Sequence, residues 1–218
     1  MSLLFEGVRV EYLLGSGSVE AVREASLELE RGGRLTLLGA SGSGKSSLLL
    51  AGIGSLYRNA RISGRVLLDG EDLLSLPRGR VLGLRWRRIS LLPQGVGSAF
   101  NPMVPVGRAF EEVLRFKVEV WRREGVREIF LSTLRRLGLE EEALLRYPHQ
   151  LSGGQRQRVY VAMVLSSGAP YLLMDEPTSG LDPLVGALAL SLILERQREE
   201  GFGLMVVTHD VGVASALG

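Results

Sequence analysis

The sequence predicts an α/β fold with a parallel sheet between helices, an antiparallel sheet near the N-terminus and a helical insert. Apolar and charged residues alternate over residues 8–12 and 27–30, as in strands with one face in water. Four later apolar runs do not alternate, which favours strands covered on both faces. These runs are residues 35–38, 89–92, 171–174 and 204–207. Because helical patterns at 46–51 and 155–165 lie between them, we expect a doubly wound arrangement.

The middle of the chain carries a helical pattern instead. Apolar residues and one threonine recur at helical spacing from 126 to 137, and Gly138 follows as a stop signal. Asn101 and Pro102 mark a loop that leads into this region. We therefore expect a single domain, made of an α/β core at about 1–96 and 157–218 and a helical insert at about 97–156.

Composition excludes several classes of protein. Hydrophobic residues make up 45% and charged residues 23% of the 218 residues, an ordinary balance for a globular chain and not for a disordered one. The chain has no cysteine, which excludes a disulfide-stapled module, a cysteine nucleophile and a thiolate metal site. The net charge of +2 is too small to argue for a nucleic-acid partner.

No apolar run approaches the roughly 18–20 residues that cross a bilayer. The segment from Met1 to Glu11 contains acidic residues and no basic stretch before an apolar core, so it does not resemble a signal peptide. We expect a soluble intracellular protein that can still dock on a membrane protein.

Residues 39–46, Gly-Ala-Ser-Gly-Ser-Gly-Lys-Ser, match the phosphate-binding pattern G-x-x-x-x-G-K-[ST]. Glycines in such a loop let successive N–H groups point at phosphate oxygens, and the following helix N-terminus favours an anion. Lys45 can reach the outer phosphates, and the Ser46 hydroxyl can coordinate magnesium. The alternative is a Gly/Ser-rich turn, but Lys45 and Lys117 are the only lysines, so a chance match is rare. The sequence therefore predicts nucleotide binding.

A second motif is acidic: Asp175 and Glu176 directly follow the apolar run at 171–174. Functional sites in open α/β sheets lie at the carboxyl ends of the strands, where a phosphate loop also lies. Asp175 could hold magnesium, and Glu176 could polarise a water aimed at the γ-phosphate. The alternative is a solvated acidic turn before Pro177. The phosphate loop in the same chain favours the site.

Residues 151–155, Leu-Ser-Gly-Gly-Gln, resemble the signature motif of ABC-transporter nucleotide-binding domains. Further features of that family recur in order along the chain: Tyr12 in the place of the aromatic residue that stacks on adenine, 39–47 as Walker A, Gln94 as the Q-loop glutamine, 171–176 as Walker B, 179–182 as the D-loop and His209 as the switch histidine. The resemblance implies a P-loop NTPase (RecA-like) core with an N-terminal antiparallel β subdomain and an α-helical subdomain insert. It also implies ATP and Mg²⁺ as ligands.

The resemblance assigns roles to particular residues. The implied catalytic residues are Glu176, His209 and Gln94, and the implied magnesium ligands are Ser46, Gln94 and Asp175. The implied nucleotide contacts are Tyr12, Gly39, Ser41, Gly42, Ser43, Gly44, Lys45, Ser46, Ser47, Ser152, Gly153, Gly154, Gln155 and Asp182. Tyr12 could equally be a strand aromatic packed on its own sheet, and His149 is expected to be structural.

Residues 152–154 precede a helix expected to start near Gln155, so they can present N–H groups to an anion. The family implies that this anion is the γ-phosphate bound by a second ATP-binding subunit, identical or not, in a head-to-tail dimer. Residues 94–107 and 147–150 resemble the peptide and nickel importer group. Resemblance to that group implies two membrane permease subunits as partners and a position at the cytoplasmic face of the membrane. It also implies a substrate-binding protein that acts on this chain only indirectly. The cargo would be a small solute such as di- or oligopeptides, with nickel or another metal as the alternative.

The chain departs from the family at two places. It ends eight residues after Asp210, where relatives usually continue with strands and helices, so we expect an exposed sheet edge. Met163 stands where relatives often carry arginine.

A soluble ABC ATPase acting on DNA or ribosomes is a weaker alternative, because one cassette with near-neutral charge offers no nucleic-acid footprint. A subunit that no longer hydrolyses is another, although all catalytic positions are present.

Overall fold

The computed structural model describes residues 1–55, 58–116 and 125–217. Residues 117–124 of the predicted helical insert therefore lie outside the described part. The strands are β1 (Ser2–Leu14), β2 (Gly17–Glu30), β3 (Arg34–Leu38), β4 (Ala60–Leu68), β5 (Glu71–Asp72), β6 (Ile89–Leu92), β7 (Tyr171–Asp175) and β8 (Gly203–Thr208). The helices are α1 (Lys45–Gly52), α2 (Arg78–Leu84), α3 (Val106–Phe116), α4 (Val126–Arg136), α5 (Gly153–Leu165), α6 (Pro183–Glu200) and α7 (Val211–Leu217). Short 3₁₀ turns lie at Val96–Ala99, Glu141–Leu145 and Pro148–Gln150.

The N-terminal sheet is antiparallel, in the order β2-β1-β4-β5, as the alternating residues predict. Along β1, the buried positions change from odd to even numbers, from Leu3 and Phe5 to Val8 and Val10. The register with β2 shifts at that point, and Gly7 adopts a φ of 55°. A bulge with a left-handed glycine inserts one residue into the strand. The apolar side chains therefore stay on one face along the whole strand.

The second sheet is parallel, in the order β3-β8-β7-β6. Every residue of β7 and β8 is buried, so the prediction of strands covered on both faces is right for the sheet centre. It is wrong for β3, whose five residues are all partly or largely exposed, with Leu38 at 51%. A short apolar run shows that a segment is hydrophobic and does not show how fully other elements cover it.

Helix α1 lies between the two sheets. An added Cβ on Gly52, in its last turn, would lie 2.9 Å from the Phe5 ring of β1 and 3.0 Å from Leu173 of β7. Glycine is required there because the helix touches both strands at once. This packing fixes the helix that follows the phosphate loop against both sheets.

The predicted helix at 126–137 is α4. Its buried stripe includes Phe130 and Leu134, and the Phe130 ring stacks on Phe110 of α3 with centroids 3.7 Å apart. These side chains belong to the same buried cluster as Leu172 of β7 and residues of α5 and α6. The insert thus shares its core with the parallel sheet. Within the described residues, no helix is both long enough and apolar enough to span a membrane.

A buried polar contact joins the two sheets at the end away from the phosphate loop. Asp69 follows β4 with a φ of 51°, and its carboxylate accepts a hydrogen bond of 2.7 Å from the Tyr171 hydroxyl and pairs with Arg88. Tyr171 begins β7 and is fully buried. Burial, followed by the hydrogen bond to Asp69, raises the pKa of Tyr171 above its ordinary value.

Replacing Tyr171 with phenylalanine should lower the free energy of unfolding by about 1–2 kcal/mol, because the partly buried Asp69 oxygen loses its donor. The neutral phenol is the folded form, so the wild-type advantage should shrink as the pH rises through about 10, where the unfolded tyrosine ionises. Urea unfolding of both proteins from pH 7 to pH 11 measures this. In an Asp69→Ala background the same substitution should cost clearly less, and an equal cost would contradict the contact.

Candidate active site

The phosphate loop connects β3 to α1 at the carboxyl edge of the parallel sheet. Gly44, the residue before α1, has a φ of 88°, and an added Cβ would lie 2.0 Å from the Ala21 carbonyl oxygen of β2. Only glycine fits this left-handed position against the neighbouring strand. Among the described residues, no side chain caps the N-terminus of α1. Its first N–H groups are therefore suited to an anion.

The Lys45 ammonium group folds back over this loop. Its Nζ donates to the carbonyl oxygens of Gly39 at 2.8 Å and Ala40 at 2.7 Å, and lies 3.3 Å from the Ser43 hydroxyl. All three acceptors are neutral oxygens. A phosphate oxygen could replace them with charge-assisted hydrogen bonds, which are stronger.

A cavity of about 200 Å³ lies beside the loop. Its lining residues are Ala21, Ser41, Gly42, Gly44, Lys45, Ser46, Ser47, Gln94, Asp175 and Glu176. Ala21 belongs to β2, and the others come from the loop after β3 with the first turn of α1, from the segment after β6 and from the end of β7. Because β3, β6 and β7 are parallel strands of one sheet, their carboxyl ends meet at one edge. The structure thus brings together the phosphate-loop residues, Gln94 and both carboxylates singled out in the sequence.

Asp175 and Ser46 bring two oxygen groups together in this cavity. Asp175 is only 5% exposed. Burial raises the pKa of Asp175, and a hydrogen bond from Ser46 opposes that rise. A desolvated carboxylate beside a hydroxyl and the Gln94 amide forms a set of oxygen donors of the kind Mg²⁺ prefers. These residues therefore fit a magnesium ion bound together with phosphate oxygens.

Glu176 has an unusual backbone conformation, and both oxygens of its carboxylate accept hydrogen bonds. Its φ is 52°, which few non-glycine residues adopt. Its Oε2 accepts a hydrogen bond of 3.1 Å from the Thr208 hydroxyl, and its Oε1 accepts one of 3.0 Å from the His209 backbone N–H. His209 Nδ1 lies 2.6 Å from the same Oε1. The end of β8 thus holds the carboxylate, and sequence reasoning missed Thr208, whose only signal is its place beside His209.

The signature residues form the start of α5. Ser152 caps the helix by accepting from the Gln155 N–H at 3.1 Å, while Gln155 Oε1 accepts from the Ser152 N–H at 2.9 Å. This capping box places the helix start at Gly153, two residues before the predicted Gln155. An added Cβ on Gly154 would lie 2.9 Å from the Gly180 carbonyl oxygen. The signature therefore packs on the predicted D-loop, and within this chain it does not line the phosphate-loop cavity.

Three further sequence candidates have definite places. Asp182 caps α6 by accepting from the Val185 N–H at 3.0 Å. The Tyr12 hydroxyl donates to Ser47 Oγ at 3.1 Å, and its half-buried ring leaves both adenine stacking and strand packing open. His149 is exposed, and its ring stacks on Tyr147 with centroids 5.7 Å apart.

The fold and this cavity define a phosphate-loop nucleotide-binding domain. Residues 22–179 match the family model described as ABC transporter. The chain is 36% identical to "Dipeptide transport ATP-binding protein DppD" of Caldanaerobacter subterraneus subsp. tengcongensis, covering 97% of this chain and 66% of the relative. It is 38% identical to "Nickel import ATP-binding protein NikD" of Rhodospirillum rubrum, covering 97% and 81%. The chain therefore belongs to the ABC transporter family, which confirms the resemblance seen in the motifs.

Solved structures agree with this assignment. The dimeric ATP-binding cassette MJ0796 superposes with a TM-score of 0.86 at 30% identity over 99% of this chain and 91% of that chain. Its post-hydrolysis state bound to ADP and Pi superposes with a TM-score of 0.85. This similarity confirms the predicted fold class. The chain spans about two thirds of the length of the peptide-transport relatives, 66% for DppD and 63% for "Oligopeptide transport ATP-binding protein OppD" of Salmonella typhimurium.

Replacing Lys45 with alanine should weaken Mg-ATP binding at least about 100-fold, because the phosphates lose their charge-assisted contact. Isothermal titration calorimetry measures the affinity. Arg9→Ala, which removes an exposed cation of β1, is the matched control and should bind like the wild type. Tight binding by the Lys45 variant would remove the phosphate loop from the nucleotide site.

Proposed function

We propose that this chain binds and hydrolyses Mg-ATP as the ATP-binding subunit of a transporter. The observation that carries the proposal is the cavity in which the Lys45 loop faces Asp175 and Glu176. The Lys45 cation, the oxygen ligands for Mg²⁺ and the carboxylate base Glu176 then surround one position for the γ-phosphate of ATP. Membership in the ABC transporter family and the MJ0796 cassette bound to ADP and Pi support this proposal.

Binding starts with the phosphates. The N–H groups of residues 41–46 would surround the β-phosphate, and Lys45 would exchange its carbonyl acceptors for phosphate oxygens. Ser46, Asp175 and Gln94 would hold Mg²⁺, whose bound charge neutralises the phosphate oxygens. Tyr12 would stack on the adenine, because its half-buried ring lies beside Ser47 at the cavity margin.

Hydrolysis requires one attacking water and one proton acceptor. The water oxygen forms a bond to the γ-phosphorus while the bond from that phosphorus to the β–γ bridging oxygen breaks, so ADP and phosphate result. Glu176 would accept the proton that the water gives up. His209, with 61% of its side chain exposed, could turn toward the γ-phosphate while its backbone N–H keeps Glu176 in place.

The signature residues would serve a second subunit. Ser152 and Gly153 are exposed at the start of α5, Gly154 is partly buried, and none of the three lines its own chain's cavity. A head-to-tail partner would therefore place its signature N–H groups on the γ-phosphate bound here, with Gln155 and Asp182 at the same interface. The dimeric MJ0796 cassettes support such a pair.

A groove between α2, α3 and α5 offers a place for membrane subunits. It has a volume of about 730 Å³, and its apolar wall includes Leu82, Trp86, Tyr160 and Met163. Leu82 is 48% exposed, and an exposed apolar groove of this kind is typical of a docking site. We propose that permease subunits dock here, which would place the chain at the cytoplasmic face of the membrane.

The proposal for the transported cargo rests only on sequence similarity to the relatives. DppD and OppD relatives favour di- or oligopeptides delivered by a substrate-binding protein. The NikD relative, at 38% identity, favours nickel as the second candidate. The cargo would not touch this subunit.

Replacing Glu176 with glutamine should lower kcat for ATP hydrolysis at least about 100-fold, because the proton acceptor is lost. Mg-ATP affinity should not fall, since the phosphate contacts remain. Phosphate release and calorimetric titration measure the two quantities. Glu111→Gln, an exposed residue of α3, is the control, and a wild-type rate in the Glu176 variant would exclude the proposed base.

The Glu176→Gln protein should also dimerise when Mg-ATP is added, because unhydrolysed nucleotide joins the loop of one chain to the signature of the other. Light scattering with and without Mg-ATP gives the mass. A Lys45→Ala/Glu176→Gln double variant should remain a monomer. A single variant that binds ATP and stays monomeric would contradict pairing with a second copy of itself.

A further inference from the structure

The backbone at Glu176 is held in an unfavourable conformation by the strand next to it. Residues other than glycine are disfavoured at its φ of 52°. Its N–H donates to the Val207 carbonyl oxygen at 2.9 Å, and its own carbonyl accepts from the Ser179 N–H at 3.0 Å. Such a conformation persists only where surrounding contacts over-determine it. The side-chain contacts at the end of β8 are therefore part of what keeps Glu176 in place.

Thr208 makes the most directional of these contacts. Its Oγ1 accepts a hydrogen bond of 3.0 Å from the Asp210 N–H and donates one of 3.1 Å to Glu176 Oε2. Because an ionised carboxylate only accepts hydrogen bonds, the hydroxyl proton is directed at Glu176. The residue is 1% exposed, so water cannot readily replace the hydroxyl.

We propose that Thr208 is a positioning residue for the carboxylate of Glu176. Its hydroxyl holds Oε2, which leaves Oε1 toward His209 and sets the plane of the carboxylate at the cavity. The β-branched side chain suits this task because its χ1 rotation is restricted. The inference rests on the proposed hydrolysis and deepens it, since it assigns the alignment of the base to a residue outside the nucleotide-binding motifs.

Thr208 acts through Glu176 and not on the nucleotide. Among the described residues that line the phosphate-loop cavity, Glu176 is present and Thr208 is not. Removal of its hydroxyl should therefore leave the phosphate contacts of Lys45 and Ser46 intact. The consequence is a lower rate of the chemical step at unchanged affinity for Mg-ATP.

The test compares Thr208→Val, which removes the hydroxyl at nearly constant shape, with Thr208→Ser, which keeps it. We expect kcat of the valine variant to fall about tenfold, the effect of one hydrogen bond to a charged group, while KM and the calorimetric Kd for Mg-ATP stay within twofold. The serine variant should keep at least about half of the wild-type kcat. Thr133→Val, at an equally buried threonine of α4 away from the cavity, should behave like the wild type.

Three results would overturn the proposal. They are a wild-type kcat in Thr208→Val, a rise of KM and Kd in parallel with the loss of kcat, and a serine variant as slow as the valine variant. Failure of the proposed hydrolysis mechanism would give a result distinct from these three. The wild type and Glu176→Gln would then turn over Mg-ATP equally.

A second measurement tests the role of Thr208 even if the proposed hydrolysis mechanism fails. The ¹³Cδ chemical shift of the Glu176 carboxylate, read by NMR, reports the hydrogen bonding of that group without any turnover. It should change in Thr208→Val and stay unchanged in Thr208→Ser and Thr133→Val. Identical shifts in all the proteins would overturn the role of Thr208.

Discussion

The site depends on the position of β8 between β3 and β7. This strand comes last along the chain, yet it pairs in parallel with both, aligning Leu38 with Thr208 and Asp175 with Val207. Without it, the phosphate loop after β3 and the carboxylates after β7 would belong to unconnected strands. Because β8 joins them in register, the two halves of the proposed chemistry end at the same edge of the sheet. The strand also supplies Thr208, which directly contacts Glu176.

Two residues at this edge of the sheet have backbone conformations in the left-handed region. Gly44 lies in the left-handed region against the Ala21 carbonyl oxygen, and Glu176 lies there with an ordinary side chain. β2 leaves no room for a side chain at Gly44, and contacts from β8 hold Glu176. Conformations of this kind persist where tertiary contacts over-determine them. The result is a cavity whose donors and acceptors are arranged before a nucleotide binds, which is the condition for electrostatic stabilisation of a transition state.

The signature and the acidic strand end are linked within one chain. Gln157 of α5 is buried and donates from Nε2 to the Pro177 carbonyl oxygen at 3.0 Å, directly after Glu176. Gly154 approaches the Gly180 carbonyl oxygen so closely that a methyl group would not fit. In the proposed dimer the signature serves the neighbouring subunit's nucleotide. These contacts would therefore connect one composite site to the other through short, packed segments.

The sequence by itself determined the elements and motifs that are local. Alternation predicted the antiparallel strands, helical spacing predicted α4, and contiguous residues identified the phosphate loop, the acidic strand end and the signature. Only the tertiary structure decided that β3 lies at an edge, that Gly154 must be glycine and that Thr208 contacts Glu176. Periodicity records which side of a segment is buried, whereas strand order and contacts across the sheet join residues far apart in the chain. Thr208 and Glu176 are 32 residues apart, and only the pairing of β7 with β8 brings them together.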